Sequence, residues 1–233
     1  MWLAVARLPA AAELAGVEIR QAELVASSEP RWLAWVRSLQ TIAQSGLNYA
    51  TDDYDRDRYR EVRRIAAELA AANSDADPDI IEGLFAAGSG HPTPKVDVRA
   101  AIVVSERILL VREVADGGWT LPGGWADPGE SPSEAAARET REEAGVDVRA
   151  TKLIALYDRA RRNYPPHIEC IYKAIFACEL IGDAVPHASD ETDGVEFFPA
   201  DKLPALSTGR TTAQQIERVF AHHNNPSLPT EFD

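Results

Sequence analysis

Three glutamates, Glu139, Glu142 and Glu143, stand at i, i+3 and i+4 in one short stretch of this 233-residue chain. On an α-helix that spacing places all three carboxylates on one face. The helix is well signalled. Ser131 is a suitable N-cap, Pro132 fits the first helical position, Glu134 completes a capping box, and Gly145 follows as a left-handed cap. Like charges on one helix face cost roughly 0.2–0.5 kcal/mol per pair, so something must offset them. Arg138 and Arg141 could neutralise part of the cluster. The alternative is a hard divalent cation, which takes oxygen ligands. Just upstream, Leu121-Pro122-Gly123-Gly124 adds glycines that let backbone carbonyls come close to an ion or a substrate.

Charge elsewhere is unevenly spread. Lys plus Arg is 24 and Asp plus Glu is 37, a net charge of −13. That excess is the wrong sign for a duplex-DNA binder or a polybasic membrane-surface protein. Two acidic clusters stand out: residues 127–147 hold seven acids against two arginines, and residues 183–201 hold six acids and no Lys or Arg. Glu191 and Glu196 in the second cluster are candidates for a further ligand or a general base, with a solvated acidic loop as the alternative. The segment from Tyr157 to Tyr164 runs the other way, with Arg159, Arg161 and Arg162 against Asp158. Arginine forks suit phosphate and the faces of Tyr157 and Tyr164 suit a base, so this segment, with His167, is a candidate substrate grip. A solvated strand edge is the rival reading. Arg210, opening the last helix, is a further candidate phosphate contact.

The elements that must position these groups fall into two regions. Apolar spacing predicts a helix from Pro30, ended by Gly46, with Trp32, Val36, Leu39 and Ala43 on its buried face. A second helix carries Tyr59, Val62, Ile65 and Leu69, and a third covers Pro78–Ala87. Gly88 to Pro94 reads as a linker. Beyond Lys95 the pattern is of strands, at 96–104, 108–114, 152–160, 168–180 and 195–198, with helices at 132–144 and 211–223. This is an α+β domain behind a small helical module. Residues 1–29 read as an extension. No apolar run approaches the ~18–20 residues of a membrane span. No basic segment precedes the first apolar residues, so a signal peptide is not expected. Cys170 and Cys178, placed on one strand, lie too far apart to pair and read as buried thiols of a reducing, cytoplasmic compartment.

The spacing Gly124, five residues, Glu130, seven residues, Arg138-Glu139, two residues, Glu142-Glu143, one residue, Gly145 resembles the Nudix box, which would run from Gly124 to Val146. Thr140 departs from it, at a position usually aliphatic. The resemblance implies an α/β/α sandwich with a mixed sheet over about 95–225 and a loop–helix–loop at the box. It implies Mg²⁺ or Mn²⁺ held by Glu139, Glu143 and Glu142 with the Gly123 carbonyl, and hydrolysis of a nucleoside diphosphate linked to another moiety. Glu142 is the expected base, with Glu191 as the alternative, and Glu130 and Arg138 would clamp loop to helix. Residues 30–90 are similar to the helical domain that precedes some bacterial Nudix enzymes acting on CDP-choline, ADP-ribose or nucleotide sugars, which implies a homodimer. Two other functions compete: a Nudix-fold nucleotide sensor without catalysis, and an RNA-end hydrolase as a side activity.

Overall fold

The computed structural model describes residues 29–189 and 192–233. The extension expected over 1–29, apart from Glu29, and the candidate Glu191 lie outside the described residues.

Helices α1 (Arg31–Tyr49), α2 (Asp53–Ala71) and α3 (Pro78–Ala87) form the N-terminal module. Asp52 and Asp77 cap α2 and α3 by accepting the backbone N–H groups of Asp55 and Asp79. The module's core is small: Val36, Ala67, Ala70 and Ile81 are buried, with Trp32, Leu69 and Phe85 packed beside them. On α2 the buried positions are Ala66, Ala67 and Ala70, and Ile65, expected inside, is 44% exposed. Alanines face α1 because the two helices approach closely. For the same reason Gly46 does not end α1. It lies within the helix, where the Tyr59 ring fills the space a Cβ would need.

Gly46→Ala should therefore destabilise the protein despite alanine's better helix propensity. Overpacking costs about 1–3 kcal/mol and the propensity gain returns at most ~1. Urea unfolding should show a lower midpoint, and in a Tyr59→Leu background the same substitution should become neutral or stabilising. An unchanged midpoint in the Tyr59 background would refute the crowding argument.

The second domain is built on a seven-stranded mixed sheet. Its strands are β1 (Lys95–Val104), β2 (Arg107–Glu113), β3 (Trp119–Thr120), β4 (Asp147–Asp158), β5 (Ile171–Ile181), β6 (Thr192–Pro199) and β7 (Glu231–Phe232). The order is β3-β2-β1-β5-β4-β7, and β6 pairs with β2. β1 runs parallel to β5, whereas β1–β2, β2–β6 and β4–β5 are antiparallel. Helix α4 (Pro132–Ala144) covers one face and α5 (Ala213–Asn224) the other. Strand alternation divides the core accordingly. Val98, Ala100, Ile102 and Ala174 pack with Ala135, Ala136 and Ala144 of α4. Ala101, Ile154 and Ile175 pack with Ile216, Val219 and Phe220 of α5. This is the expected α/β/α sandwich behind a helical module.

Several boundaries differ from expectation for local reasons. β5 starts at Ile171, after a loop that contains Pro165 and Pro166, neither of which can donate to a ladder. Cys170 therefore precedes the strand and is exposed, and only Cys178 is a buried thiol. β4 ends at Asp158, whose carboxylate accepts the Ala160 N–H and starts a single 3₁₀ turn. α5 begins at Ala213, capped by Thr212 in a capping box with Gln215, so Arg210 stands before the helix and does not open it.

Candidate active site

The expected local chemistry of α4 is present in full. Ser131 and Glu134 form the capping box, Pro132 opens the helix, and Gly145 closes it at φ 66°, donating to the Arg141 carbonyl at 3.1 Å. The buried Thr140 hydroxyl donates to the Ala136 carbonyl at 2.7 Å, which satisfies the polar group where an aliphatic was expected.

The loop before α4 is laced to β1 by backbone hydrogen bonds. Ala100 N–H donates to the Pro122 carbonyl at 2.8 Å, Val98 N–H to the Gly124 carbonyl at 2.8 Å, and Ala126 N–H to the Val96 carbonyl at 3.0 Å. Gly123 sits at φ 141°, and a Cβ there would collide with the Val98 carbonyl oxygen, so only glycine fits. Its N–H donates to Glu143 Oε2 at 2.8 Å. Gly124 faces the Glu139 carboxylate, which a Cβ would meet at 2.9 Å. Glu139 and Glu143 thus bracket Gly123–Gly124. No donor among the described residues reaches the Gly123 carbonyl.

Burial acts on both carboxyls. It pushes Glu143 up to about 7, although the Gly123 N–H and Arg99 pull the other way. It also raises Glu139, against the opposing pull of Arg138. Glu142 lies at the rim, half-exposed. Arg138 connects the cluster to the loop. Its Nε and Nη2 grip Glu130 at 3.1 and 2.8 Å, Nη1 bonds Glu139 and Glu142 at 2.9 Å each, and Nη2 also donates to the Trp125 carbonyl at 3.2 Å. The hydrogen bonds from Arg138 and from the Asp127 N–H hold the Glu130 carboxyl down at about 2. Arginine pairing is thus the offset on view for Glu139 and Glu142. Among the described residues, no group of three or more His, Cys, Asp or Glu side chains converges on one point. The donor set nonetheless fits a hard cation: carboxylate oxygens, a carbonyl without a donor, and a buried carboxyl whose ionisation is penalised.

The basic segment does not form one open grip. Tyr157 is buried and donates from its hydroxyl to Glu231 at 2.7 Å. The Arg162 guanidinium lies 3.9 Å from the Tyr157 ring centroid and pairs with Asp233 at 2.7 Å. Arg161 is exposed beside Asp158, and Arg159 lies over Tyr164, 5.3 Å from its centroid. The His167 ring accepts the Glu169 N–H at 3.1 Å. Arg210 bridges Glu113 and Asp116 at 3.0 and 3.1 Å. Glu196 is exposed on β6, on the sheet face opposite α4.

A cluster that the sequence reading passed over lies under the loop. Asp97, Arg99 and Lys173 are buried together, with Asp97 bonded by Arg99 Nε at 2.9 Å, Arg99 Nη2 at 3.0 Å and Lys173 Nζ at 2.8 Å. The signal was present: Lys95, Asp97 and Arg99 alternate through an otherwise apolar strand, where period-2 charges are unusual.

A loop and capped helix of this kind, seated on an α/β/α sandwich, define a Nudix hydrolase domain. The family model described as "NUDIX domain" matches residues 93–220, and one described as "UDP-X-like, N-terminal oligomerisation domain" matches residues 30–85. The chain belongs to the Nudix hydrolase family. It is 38% identical over 205 residues to YjhB of Bacillus subtilis, a provisionally named ADP-ribose pyrophosphatase, covering 88% of this chain and 98% of that protein. Among solved structures, a UDP-X diphosphatase is 31% identical, with a TM-score of 0.57, covering 87% of this chain and 98% of the other. An ADP-ribose pyrophosphatase from Streptococcus suis is 38% identical, with a TM-score of 0.56, covering 60% of this chain and all of that one (100%).

Proposed function

We propose that this enzyme hydrolyses the diphosphate of nucleoside diphosphate–X compounds with Mg²⁺ or Mn²⁺, and that ADP-ribose and UDP-linked compounds come before CDP-choline among its substrates. The observation that carries this reading is that Glu143, buried, and Glu139, partly buried, flank Gly123–Gly124, where the Gly123 carbonyl has no donor among the described residues. Those three groups, with Glu142 at the rim, would hold the cation. When bound, a divalent cation neutralises diphosphate charge and lowers the pKa of its water. Glu142, half in solvent, would accept the proton of the attacking water. Arg138 keeps Glu142 and Glu139 oriented while its grip on Glu130 fixes the loop. Names of relatives support the substrate order: one is an ADP-ribose pyrophosphatase, one is provisionally named as such, and one is a UDP-X diphosphatase. The test is turnover of ADP-ribose, UDP-glucose, CDP-choline, nucleoside triphosphates and short capped RNA with Mg²⁺ or Mn²⁺. Binding without hydrolysis of any of them would overturn the enzyme reading in favour of a sensor. No helix among the described residues is long and apolar enough to cross a membrane.

The enzyme is further proposed to be a homodimer through its helical module. Trp35, Ile42 and Tyr49 recur every seven residues along α1 and are 53%, 53% and 66% exposed. Exposed apolar side chains aligned on one helix face fit a second copy better than water. Ile42→Glu should convert a dimer to a monomer in light scattering, leaving the far-ultraviolet circular dichroism unchanged. A dimer that persists in this variant would move the interface elsewhere.

A further inference from the structure

Arg99 lies on the α5 face of β1, away from the α4 carboxylates, yet it is tied to the loop that meets them. The residue is 4% exposed, and each of its three guanidinium nitrogens has a partner. Nε and Nη2 form a two-pronged fork on Asp97, at 2.9 and 3.0 Å. Nη1 donates forward, to the Leu121 carbonyl at 3.1 Å and to Thr120 Oγ1 at 3.3 Å. Asp97 is in turn held from the next strand by Lys173, at 2.8 Å. Thr211 braces the same loop from the other side, accepting the Leu121 N–H at 3.1 Å and sharing a hydrogen bond with Thr120 at 2.8 Å.

These contacts leave a pattern in the loop's carbonyls. Leu121 O is taken by Arg99, Pro122 O by the Ala100 N–H and Gly124 O by the Val98 N–H. Among the described residues the Gly123 carbonyl alone of these four has no donor, and its amide is the one that points at Glu143. Two of the three fixed carbonyls are held by backbone, which any sequence supplies. The third accepts from two side chains, the adjacent Thr120 hydroxyl at 3.2 Å and Arg99; of the two, only Arg99 ties it to β1, through a planar, charged fork that bonds Asp97 twice and still reaches Leu121.

We propose that Arg99 is a positioning residue, which, backed by Asp97 and Lys173, fixes the Leu121 carbonyl and thereby the orientation of the Gly123 peptide between Glu143 and an incoming cation. Lysine cannot replace it, since an ammonium at the Asp97 position has no second arm for Leu121. A purely electrostatic role would behave differently. A buried positive charge near Glu143 disfavours a bound cation, so its removal alone would tighten metal binding.

Amide exchange by NMR on the metal-free protein tests the proposal without relying on catalysis. In Arg99→Lys the Gly123 amide should exchange about 10-fold faster or more, while amides of the β4–β5 ladder keep their wild-type rates, because the opening is local. Acceleration across the whole sheet, or unchanged protection at Gly123, would overturn the proposal. Asp97→Asn, which keeps the volume and loosens the fork from behind, should show the same local effect and serves if Arg99→Lys folds poorly. The second readout, resting on the metal reading above, is Mn²⁺ affinity by calorimetry without substrate. Arg99→Lys should weaken it about 10-fold, as loss of a group orienting a ligand typically does. Wild-type affinity in Arg99→Lys together with tighter binding in Arg99→Met would show that only the charge matters. If the wild-type protein bound no Mn²⁺, the metal reading would fail while the exchange result still decided the role of Arg99.

Discussion

Replacing Glu143 by glutamine should cut turnover steeply and, in the metal-free protein at pH 8, raise the melting temperature. Glu143 is 7% exposed and its carboxyl titrates near 7 instead of 4.5, chiefly because burial penalises the charge. The sign follows from proton linkage. The folded state binds this proton more tightly than the unfolded state, so the penalty is absent below about pH 4.5, grows as pH rises, and is complete above about 7. A shift of that size corresponds to about 3 kcal/mol. Glutamine keeps an oxygen for the Gly123 N–H and removes the charge, at the expense of a new amide that needs partners. The net gain should be about 1–3 kcal/mol. It should vanish at pH 4, where the wild-type carboxyl is already neutral. Turnover should fall about 10²–10³-fold, as when one preorganised charge-stabilising group is lost. Melting curves of both proteins at pH 4 and pH 8, with parallel assays, check this. A variant less stable than wild type at pH 8 would mean that the carboxylate's contacts outweigh its burial.

Arg138→Met should have the opposite profile, losing both stability and activity. One guanidinium holds Glu130 through two hydrogen bonds, touches Glu139 and Glu142, and ties the Trp125 carbonyl. Without it, Glu139 and Glu142 lose their shared partner and the loop loses its clamp to α4. The guanidinium is about three-quarters buried, at 24% side-chain exposure, so a network of this kind is worth more than an isolated surface pair. We expect a loss of roughly 1–3 kcal/mol in urea unfolding. Turnover should drop at least ~10-fold, through kcat more than KM, because the residue orients protein groups and holds no substrate. Arg138→Lys should recover little of either, since an ammonium cannot reach Glu130 and the helix carboxylates together. Full recovery by lysine would reduce the role of Arg138 to its charge.

What the sequence made legible follows the range of the interactions involved. The α4 segment was readable to the residue because its determinants are local: a cap, a proline, a glycine and a 3.6-residue period. The sandwich followed from strand and helix patterns in the same way. Long-range chemistry was harder to see. Arg162 and Tyr157 looked available for substrate, but their partners, Asp233 and Glu231, come from the far end of the chain, some 70 residues away. Gly46 looked like a helix end because only its propensity was visible and Tyr59 was not yet in contact. Arg99 was passed over because a charged residue in a strand says nothing about which loop it will hold. Glu113, which faces Glu143 electrostatically and is held by Arg210, was hidden for the same reason.

Ile168 has a wider consequence. It belongs by sequence to the hydrolase domain, in the loop between β4 and β5, yet it packs into the helical module's cluster beside Val36, Ala67, Ala70 and Ile81. The division that composition draws near residue 90 is therefore not a division in packing. The two parts should melt cooperatively, as one calorimetric transition whose van't Hoff and calorimetric enthalpies agree. A hydrolase domain cut free of its helices would carry Ile168 into water and should be correspondingly prone to aggregate. Two separate transitions would show that the helices fold on their own account. A single one would mean that the helical module and the domain bearing the glutamates rise and fall in stability together.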